Sequence, residues 1–343
     1  MKSWKGYQKG VNLGGWYSQC DYSQERFDHF IEKQDIAVLA SWGLDHLRLP
    51  VDYNLVETEA GEYIEEGFAR IAKVIDWCGE YGLNMVLDLH KTCGFSFDKG
   101  EHQDGFFRDP ALQERFYRLW EQFATRFGGF AGRVAFELLN EVTDKELSPV
   151  WNGIADTCIR RIRAIAPTVD ILVGSYWNNS VAAVRDLAMP QDEHIIYNCH
   201  CYSPIVFTHQ GAPWVDGMPH NMRCAFDGTY ADYGTITHGL GLDLGGPFCA
   251  PEDSGVKMGP DFFEREFADA IRVAEERNVA LYCGEYGVID RAQPEDALKW
   301  YKAIHTVFAK YGIGHAAWSY REMDFGLSDE HMKPVIEELK AYL

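Results

Sequence analysis

Two glutamates, Glu141 and Glu285, stand at the ends of apolar runs, in the clusters Leu139-Asn140-Glu141 and Gly284-Glu285-Tyr286-Gly287. Four further apolar runs end in residues that carry donors, charge or flat rings: His46-Leu47-Arg48-Leu49-Pro50, Asp88-Leu89-His90, His200-Cys201-Tyr202 and Trp318-Ser319-Tyr320. One polar residue at the end of an apolar run is unremarkable, whereas six such ends are hard to explain as surface. Two carboxyls that face each other across a pocket can cleave a glycosidic bond, one protonated to donate to the leaving oxygen and one ionised to attack. The neighbours suggest which is which. Arg48, His200 and Tyr202 would bring positive charge or donors to Glu285 and hold it as an anion, leaving Glu141, beside Asn140, as the acid with a raised pKa. Taken singly, each glutamate could equally belong to an ion pair at the rim of the fold; the grouping of six ends favours chemistry.

The elements that must position these residues alternate along the whole chain. Strands are predicted over 10–14, 44–49, 83–89, 134–139, 170–174, 194–199, 279–284 and 314–318. Between them run stretches of helical period, such as Phe68, Ile71, Ala72 and Ile75, or Leu112, Phe116, Leu119, Trp120 and Phe123. Other helices are predicted over 262–274, 298–308 and 335–339, and Pro110, Pro149 and Pro294 suit helix starts, where a missing N–H costs little. Eight strands, each followed by a helix, predict a (β/α)₈ barrel, in which functional residues gather at the C-terminal ends of the strands. A doubly wound sheet is the alternative, but the glycine cluster at 239–246 misses the G-x-G-x-x-G spacing and reads as a loop. With no repeat or linker, residues 1–343 read as a single domain with a long loop insertion after strand six, from Tyr202 to about Gly259.

Composition sets outer bounds. The 32 Lys+Arg against 52 Asp+Glu give a net charge of −20, which argues against a nucleic-acid partner held through its phosphates. No run reaches the length of a membrane span, so no membrane partner is expected. The start Met1-Lys2-Ser3-Trp4-Lys5-Gly6 is basic but lacks a following apolar core, so no signal peptide is read there. Nine cysteines cannot all pair internally and form no C-x-x-C, which suggests reduced thiols, either in the cytoplasm or in a protein secreted by an anaerobic microbe. Cys199-His200-Cys201 resembles a set of metal ligands, but strand alternation turns His200 away from both cysteines. His90 and His200 alone do not make a metal hydrolase and H-E-x-x-H is absent, so neither a metal nor another cofactor is expected. The 10 Trp, 18 Tyr and 20 Phe exceed what a core of this size needs, and flat rings suit the flat faces of sugars.

The ordered set Arg48, His90, Asn140-Glu141, His200-x-Tyr202, Glu285 and Trp318 resembles glycoside hydrolase family 5, the cellulase family of clan A barrels. The opening Gly10-Val11-Asn12-Leu13-Gly14-Gly15-Trp16 is similar to that family's first strand, and the resemblance spans roughly residues 10 to 325. It implies a retaining double displacement with Glu285 as nucleophile and Glu141 as acid/base, Asn140 on the sugar 2-hydroxyl and Trp318 under the reacting sugar. A carboxyl separation of about 5–5.5 Å follows for a retaining enzyme. Val142 stands where the family often has proline, and the loop after Tyr202 is longer than in compact endoglucanases; both bear on substrate choice.

The expected partner is a β-linked oligo- or polysaccharide, and oligomeric state leaves no trace in the sequence. Trp177 and Trp214 are candidates to stack further sugar rings, and Asp98, His102, Glu322 and Asp324 to bind hydroxyls. By resemblance an endo-β-1,4-glucanase leads. An exo-β-1,3-glucanase or β-glucosidase, with the long loop closing one end of the cleft, and a β-mannanase are the alternatives on the same scaffold. A carbohydrate-binding barrel without catalysis is the alternative of a different class.

Overall fold

Eight short apolar runs pair in parallel and close on themselves in chain order: β1 (Gly10–Asn12), β2 (His46–Asp52), β3 (Asn84–Lys91), β4 (Val134–Glu137), β5 (Ile171–Val173), β6 (Ile195–Cys201), β7 (Ala280–Tyr286) and β8 (Gly314–Ala317). The computed structural model describes residues 1–98, 103–242 and 254–343. Side chains in a strand alternate between faces, and that period of two sorts the chain. Leu47, Leu49 and Val51 of β2, Met85, Leu87 and Leu89 of β3, and Tyr197, Cys199 and Cys201 of β6 join the core outside the barrel, against the helices. The alternate positions point inward.

The helices form because each has one apolar face to bury. In Glu65–Glu80 that face is Phe68, Ile71, Val74, Ile75 and Cys78. Pro110–Phe127 begins at its proline, with Asp109 accepting a hydrogen bond from the amide of Ala111 at 2.8 Å, and buries Phe116, Leu119, Trp120 and Phe123. Ser148–Ile165, Pro260–Glu276 and Pro294–Tyr311 likewise carry a proline in the first turn. The last ends at Gly312, whose φ of 68° suits a residue without a Cβ.

Two expectations change. The fifth repeat has no long helix: the turn Tyr176–Asn179 and the 3₁₀ segment Val181–Asp186 occupy the short stretch between β5 and β6. The insertion after β6 is not a plain loop either, since it contains the helices Ile205–Thr208 and Tyr230–Gly239. The second starts at a capping box between Thr229 and Asp232 and buries Tyr230 and Tyr233, so local cap and core signals were present in its sequence.

Candidate active site

Inside the barrel the inward positions form layers. The lower one is Val86, Ala135, Leu172, Ile196, Tyr282 and Ala316, closed from below by Trp4 and Tyr7. Two residues further along the same strands the character reverses to Asn12, Arg48, Asp88, Glu137 and Asn198, all buried. Arg48 is fully buried and touches three carboxylates: Glu137 (Nε to Oε2, 2.7 Å), Asp88 (Nη2 to Oδ2, 3.0 Å) and Glu285 (Nη1 to Oε1, 2.7 Å). It also donates to Asn12 Oδ1 at 2.9 Å and to Asn140 Oδ1 at 2.8 Å. Asn198 donates to Glu137 at 2.8 Å and accepts from the amide of Gly284 at 3.0 Å.

Local backbone irregularities bring the two glutamates together. Leu281 and Cys283 belong to the core outside the barrel, so plain alternation would send Glu285 there too. A register slip between β6 and β7 prevents this: Cys199 pairs with Cys283 but His200 with Glu285, leaving Gly284 as the extra residue. Bulges of this kind re-aim side chains. Gly284 leaves room for Asn198, since a Cβ there would lie 2.7 Å from Asn198 Oδ1. Glu141 lies past the end of β4 with a left-handed φ of 42°.

Carboxylate oxygens of Glu141 and Glu285 and a ring nitrogen of His200 all lie within 4.8 Å of one another. Glu285 accepts from Arg48 Nη1 at 2.7 Å and from Tyr202 Oη at 2.9 Å. His200 is placed differently from the expectation: its Nδ1 is 2.8 Å from Glu141 Oε1 and 3.7 Å from Glu285 Oε2, so its hydrogen bond is to Glu141. Strand period puts His200 inward with Ile196 and Asn198, and the slip brings Glu285 to the same side. Glu141 Oε2 accepts from Asn178 Nδ2 at 2.9 Å.

Burial pushes both carboxyls up to about 7; Arg48 opposes this at both, His200 also at Glu285, and the Asn178 hydrogen bond at Glu141. Two buried carboxyls this close titrate as a pair. The guanidinium and phenol donors sit on Glu285 and favour its charged form. Burial lowers His200 to about 4, which leaves its ring neutral at pH 7. Asn140 gives its carbonyl oxygen to Arg48, while its buried Nδ2 has no protein partner and remains a donor.

Trp318 forms one wall. Its ring lies parallel to His90, with centroids 5.7 Å apart, and His90 Nδ1 is 2.6 Å from Asp88 Oδ2. Gly14 permits this placement, since a Cβ there would meet the indole at 2.8 Å. Trp177 is 47% exposed on the turn that carries Asn178, and Trp214 is 37% exposed and edge-on to His209, whose ring also meets Tyr202. Asp98 is tied to Lys91 at 2.6 Å and to Gln19 at 2.8 Å, and Gln19 also reaches His90 at 3.3 Å, so Asp98 flanks the His90 side. Glu322 is exposed and pairs through Oε2 with Arg26 at 3.0 Å. Asp324 follows it in a left-handed stretch of three residues, and its carbonyl accepts from the amide of Asp290 at 2.7 Å. His102 lies outside the described residues.

Several members of the site were given no role from the sequence: Glu137, Asn12, Asn198 and Asn178, and Asp88 was noted only as part of the Asp88-Leu89-His90 end. Glu137 had a usable signal, because a glutamate inside Val134-Ala135-Phe136-Glu137-Leu138-Leu139 must be buried and so must be paired. As to metals, the Glu141–His200–Glu285 cluster is the one group among the described residues with ligand atoms close enough to share an ion. Cys199 and Cys201 face the helices while His200 faces the barrel, so Cys199-His200-Cys201 does not converge. Among the described residues no helix is long and apolar enough to cross a membrane.

Comparison with known proteins gives the family. The family model described as Cellulase (glycosyl hydrolase family 5) matches residues 4–324. The chain is 49% identical to Cellodextrinase A of Ruminococcus flavefaciens over 309 residues, which covers 90% of this chain and 84% of that protein. It is 35% identical to Endoglucanase C of Acetivibrio thermocellus, over 97% and 96% of the two chains. Among solved structures, a hyperthermophilic endo-β-1,4-glucanase in complex with substrate superposes with a TM-score of 0.77 at 22% identity, covering 98% of this chain and 96% of that one. Cel5A of Thermotoga maritima with cellobiose gives 0.74 at 23%, covering 98% of each chain. At that identity the structural likeness speaks for the barrel alone, and the sequence relatives carry the family. The chain is a glycoside hydrolase and belongs to the cellulase family, glycosyl hydrolase family 5.

Proposed function

We propose that this chain cleaves β-1,4-linked glucan chains and short cello-oligosaccharides with retention of configuration, using Glu285 as nucleophile and Glu141 as acid/base. The observation that carries the assignment is the division of donors: Arg48 and Tyr202 both address Glu285. In the first step a Glu285 oxygen bonds to the anomeric carbon while Glu141 gives its proton to the departing oxygen. In the second, Glu141 takes a proton from water, whose oxygen bonds to the same carbon as Glu285 leaves. A gap between carboxylate oxygens of no more than 4.8 Å supports retention, since inverting pairs stand about 6.5–9.5 Å apart to admit a water.

The remaining roles follow from position. The free Nδ2 of Asn140 would donate to the sugar 2-hydroxyl, a contact that helps most if it tightens in the transition state. Trp318 would floor the reacting sugar, and the exposed faces of Trp177 and Trp214 would carry neighbouring rings. The β-1,4 preference rests on the names of the relatives, a cellodextrinase and an endoglucanase. Free thiols at all eight described cysteines fit work in a reducing setting, in the cytoplasm or outside an anaerobic cell.

A product profile tests the substrate. Cellotetraose and cellopentaose should be cut to shorter cellodextrins, and carboxymethyl-cellulose should lose viscosity before reducing ends accumulate. Faster release of glucose from laminarin than cleavage of any cello-oligosaccharide would overturn the β-1,4 reading.

A further inference from the structure

Three consecutive residues after β5, Trp177, Asn178 and Asn179, have φ values of 50°, 56° and 55°. Left-handed backbone is unfavourable for residues with a Cβ, and least so for asparagine. A run of three persists where the surroundings over-determine it. Here the surroundings are the segment that follows Glu141. The amide of Trp177 donates to the carbonyl of Thr143 at 2.9 Å and that of Asn178 to Val142 at 3.0 Å. The turn also closes on itself, from the amide of Asn179 to Ser175 and from that of Ser180 to Tyr176, each at 3.2 Å. Gly174 leaves room for it, since a Cβ there would lie 2.3 Å from Asn179 Oδ1. Where the two left-handed segments meet, Asn178 Nδ2 donates to Glu141 Oε2 at 2.9 Å, while His200 Nδ1 serves the other oxygen at 2.8 Å.

We propose that Asn178 is a positioning residue for the acid/base, placed by this turn to hold the ionised form of Glu141 that takes a proton from water in the second step. The proposal rests on the reading of Glu141 given above. An amide N–H can only donate, so its hydrogen bond favours the carboxylate over the acid. It therefore acts against burial, the main influence raising that carboxyl. Glu141 becomes ionised on giving its proton to the leaving oxygen. From then until water attacks, both its oxygens have a nitrogen partner fixed by backbone that does not need to move.

Two variants test this. Asn178→Gly removes the amide and accepts left-handed φ without cost, and Asn178→Asp keeps the shape but sets a like charge against Glu141. Both should move the alkaline limb of kcat/KM on cellotetraose upward, by about 0.5–1 pH unit for glycine and further for aspartate. On 2,4-dinitrophenyl β-cellobioside, whose leaving group needs no acid, kcat and KM should fall together, about tenfold, as the glycosyl-enzyme accumulates. An alkaline limb unmoved in both variants would overturn the proposal, as would a loss of activity that follows Tm alone. Glu141→Gln assayed on the same aryl substrate with azide keeps the two questions apart. Rescue by azide leaves the acid/base reading standing whatever Asn178 does, and no rescue overturns that reading and the proposal with it.

Discussion

The lower and upper halves of the barrel interior are built from the same strands, two residues apart, and could hardly differ more. Val86, Ala135, Leu172 and Ile196 below become Asp88, Glu137, the β5 end and Asn198 above. The lower half is stabilised as any core is, by removing apolar surface from water, at roughly 25 cal/mol per Å². Two of its polar members pair with each other, with His46 Nε2 2.7 Å from Tyr282 Oη, and His46 Nδ1 lies 2.7 Å from Asp45. The upper half sets one guanidinium, Arg48, against the carboxyls of Asp88, Glu137 and Glu285, with Glu141 just beyond. One positive charge cannot offset that many buried negative ones. Burial raises Asp88 to about 7 despite Arg48, as it does the glutamate pair, so the site holds protons close to neutral pH. The lower half supplies rigidity and the upper half gives up stability to keep acids poised.

The largest expected effect separates the two halves directly. Arg48→Met leaves buried carboxylates unpaired and should cost about 3–5 kcal/mol of stability together with at least a thousandfold of kcat/KM, the scale on which electrostatic groups act. Leu172→Ala should cost a comparable 2–5 kcal/mol through its cavity while leaving kcat/KM within a factor of about three at a temperature where it is folded. Denaturant melts and initial rates on the same preparations read both numbers. A Leu172→Ala enzyme as inactive as Arg48→Met would erase the distinction.

A smaller effect concerns pH. Glu141 is raised from the ordinary carboxylate range to about 7 by burial, so the native state binds its proton more tightly than the unfolded chain does. That contribution to stability is fully present below about pH 4.3 and is lost as pH rises through about 7. Glu141→Gln has no such proton to lose, so its Tm advantage over the parent should widen from pH 5 to pH 8, by about 2–4 °C. The parent's kcat/KM on cello-oligosaccharides should fall over the same range as the shared proton leaves the pair. A Tm difference that is flat with pH would mean that Glu141 is not raised by burial.

How far the site was legible follows the same division. Arg48, Asn140, Glu141, Tyr202 and Glu285 announce themselves because they are polar residues at the ends of apolar runs, where a barrel gathers its chemistry. The barrel was legible from the alternation of strand and helix patterns. Glu137 was harder, since it lies inside a strand and only its parity with Arg48 places it in the interior. The inward facing of Glu285 depends on the one-residue slip at Gly284, and no hydropathy pattern marks a slip. Asn178 depends on a left-handed turn in a repeat that lacks its long helix, so nothing in its spacing points to Glu141. Glu322 also stood out as a charged residue at this end of the barrel, and one of its carboxylate oxygens pairs with Arg26.

The central claim is that Glu285 carries the charge of the pair and attacks, and covalent trapping tests it most directly. Incubation with 2,4-dinitrophenyl 2-deoxy-2-fluoro-β-cellobioside should release dinitrophenol in one burst and add one fluorocellobiosyl unit to the intact mass, and peptide mapping should place that unit on Glu285. The label on Glu141, or no label from an enzyme that releases the α-anomer of its natural product first, would contradict it.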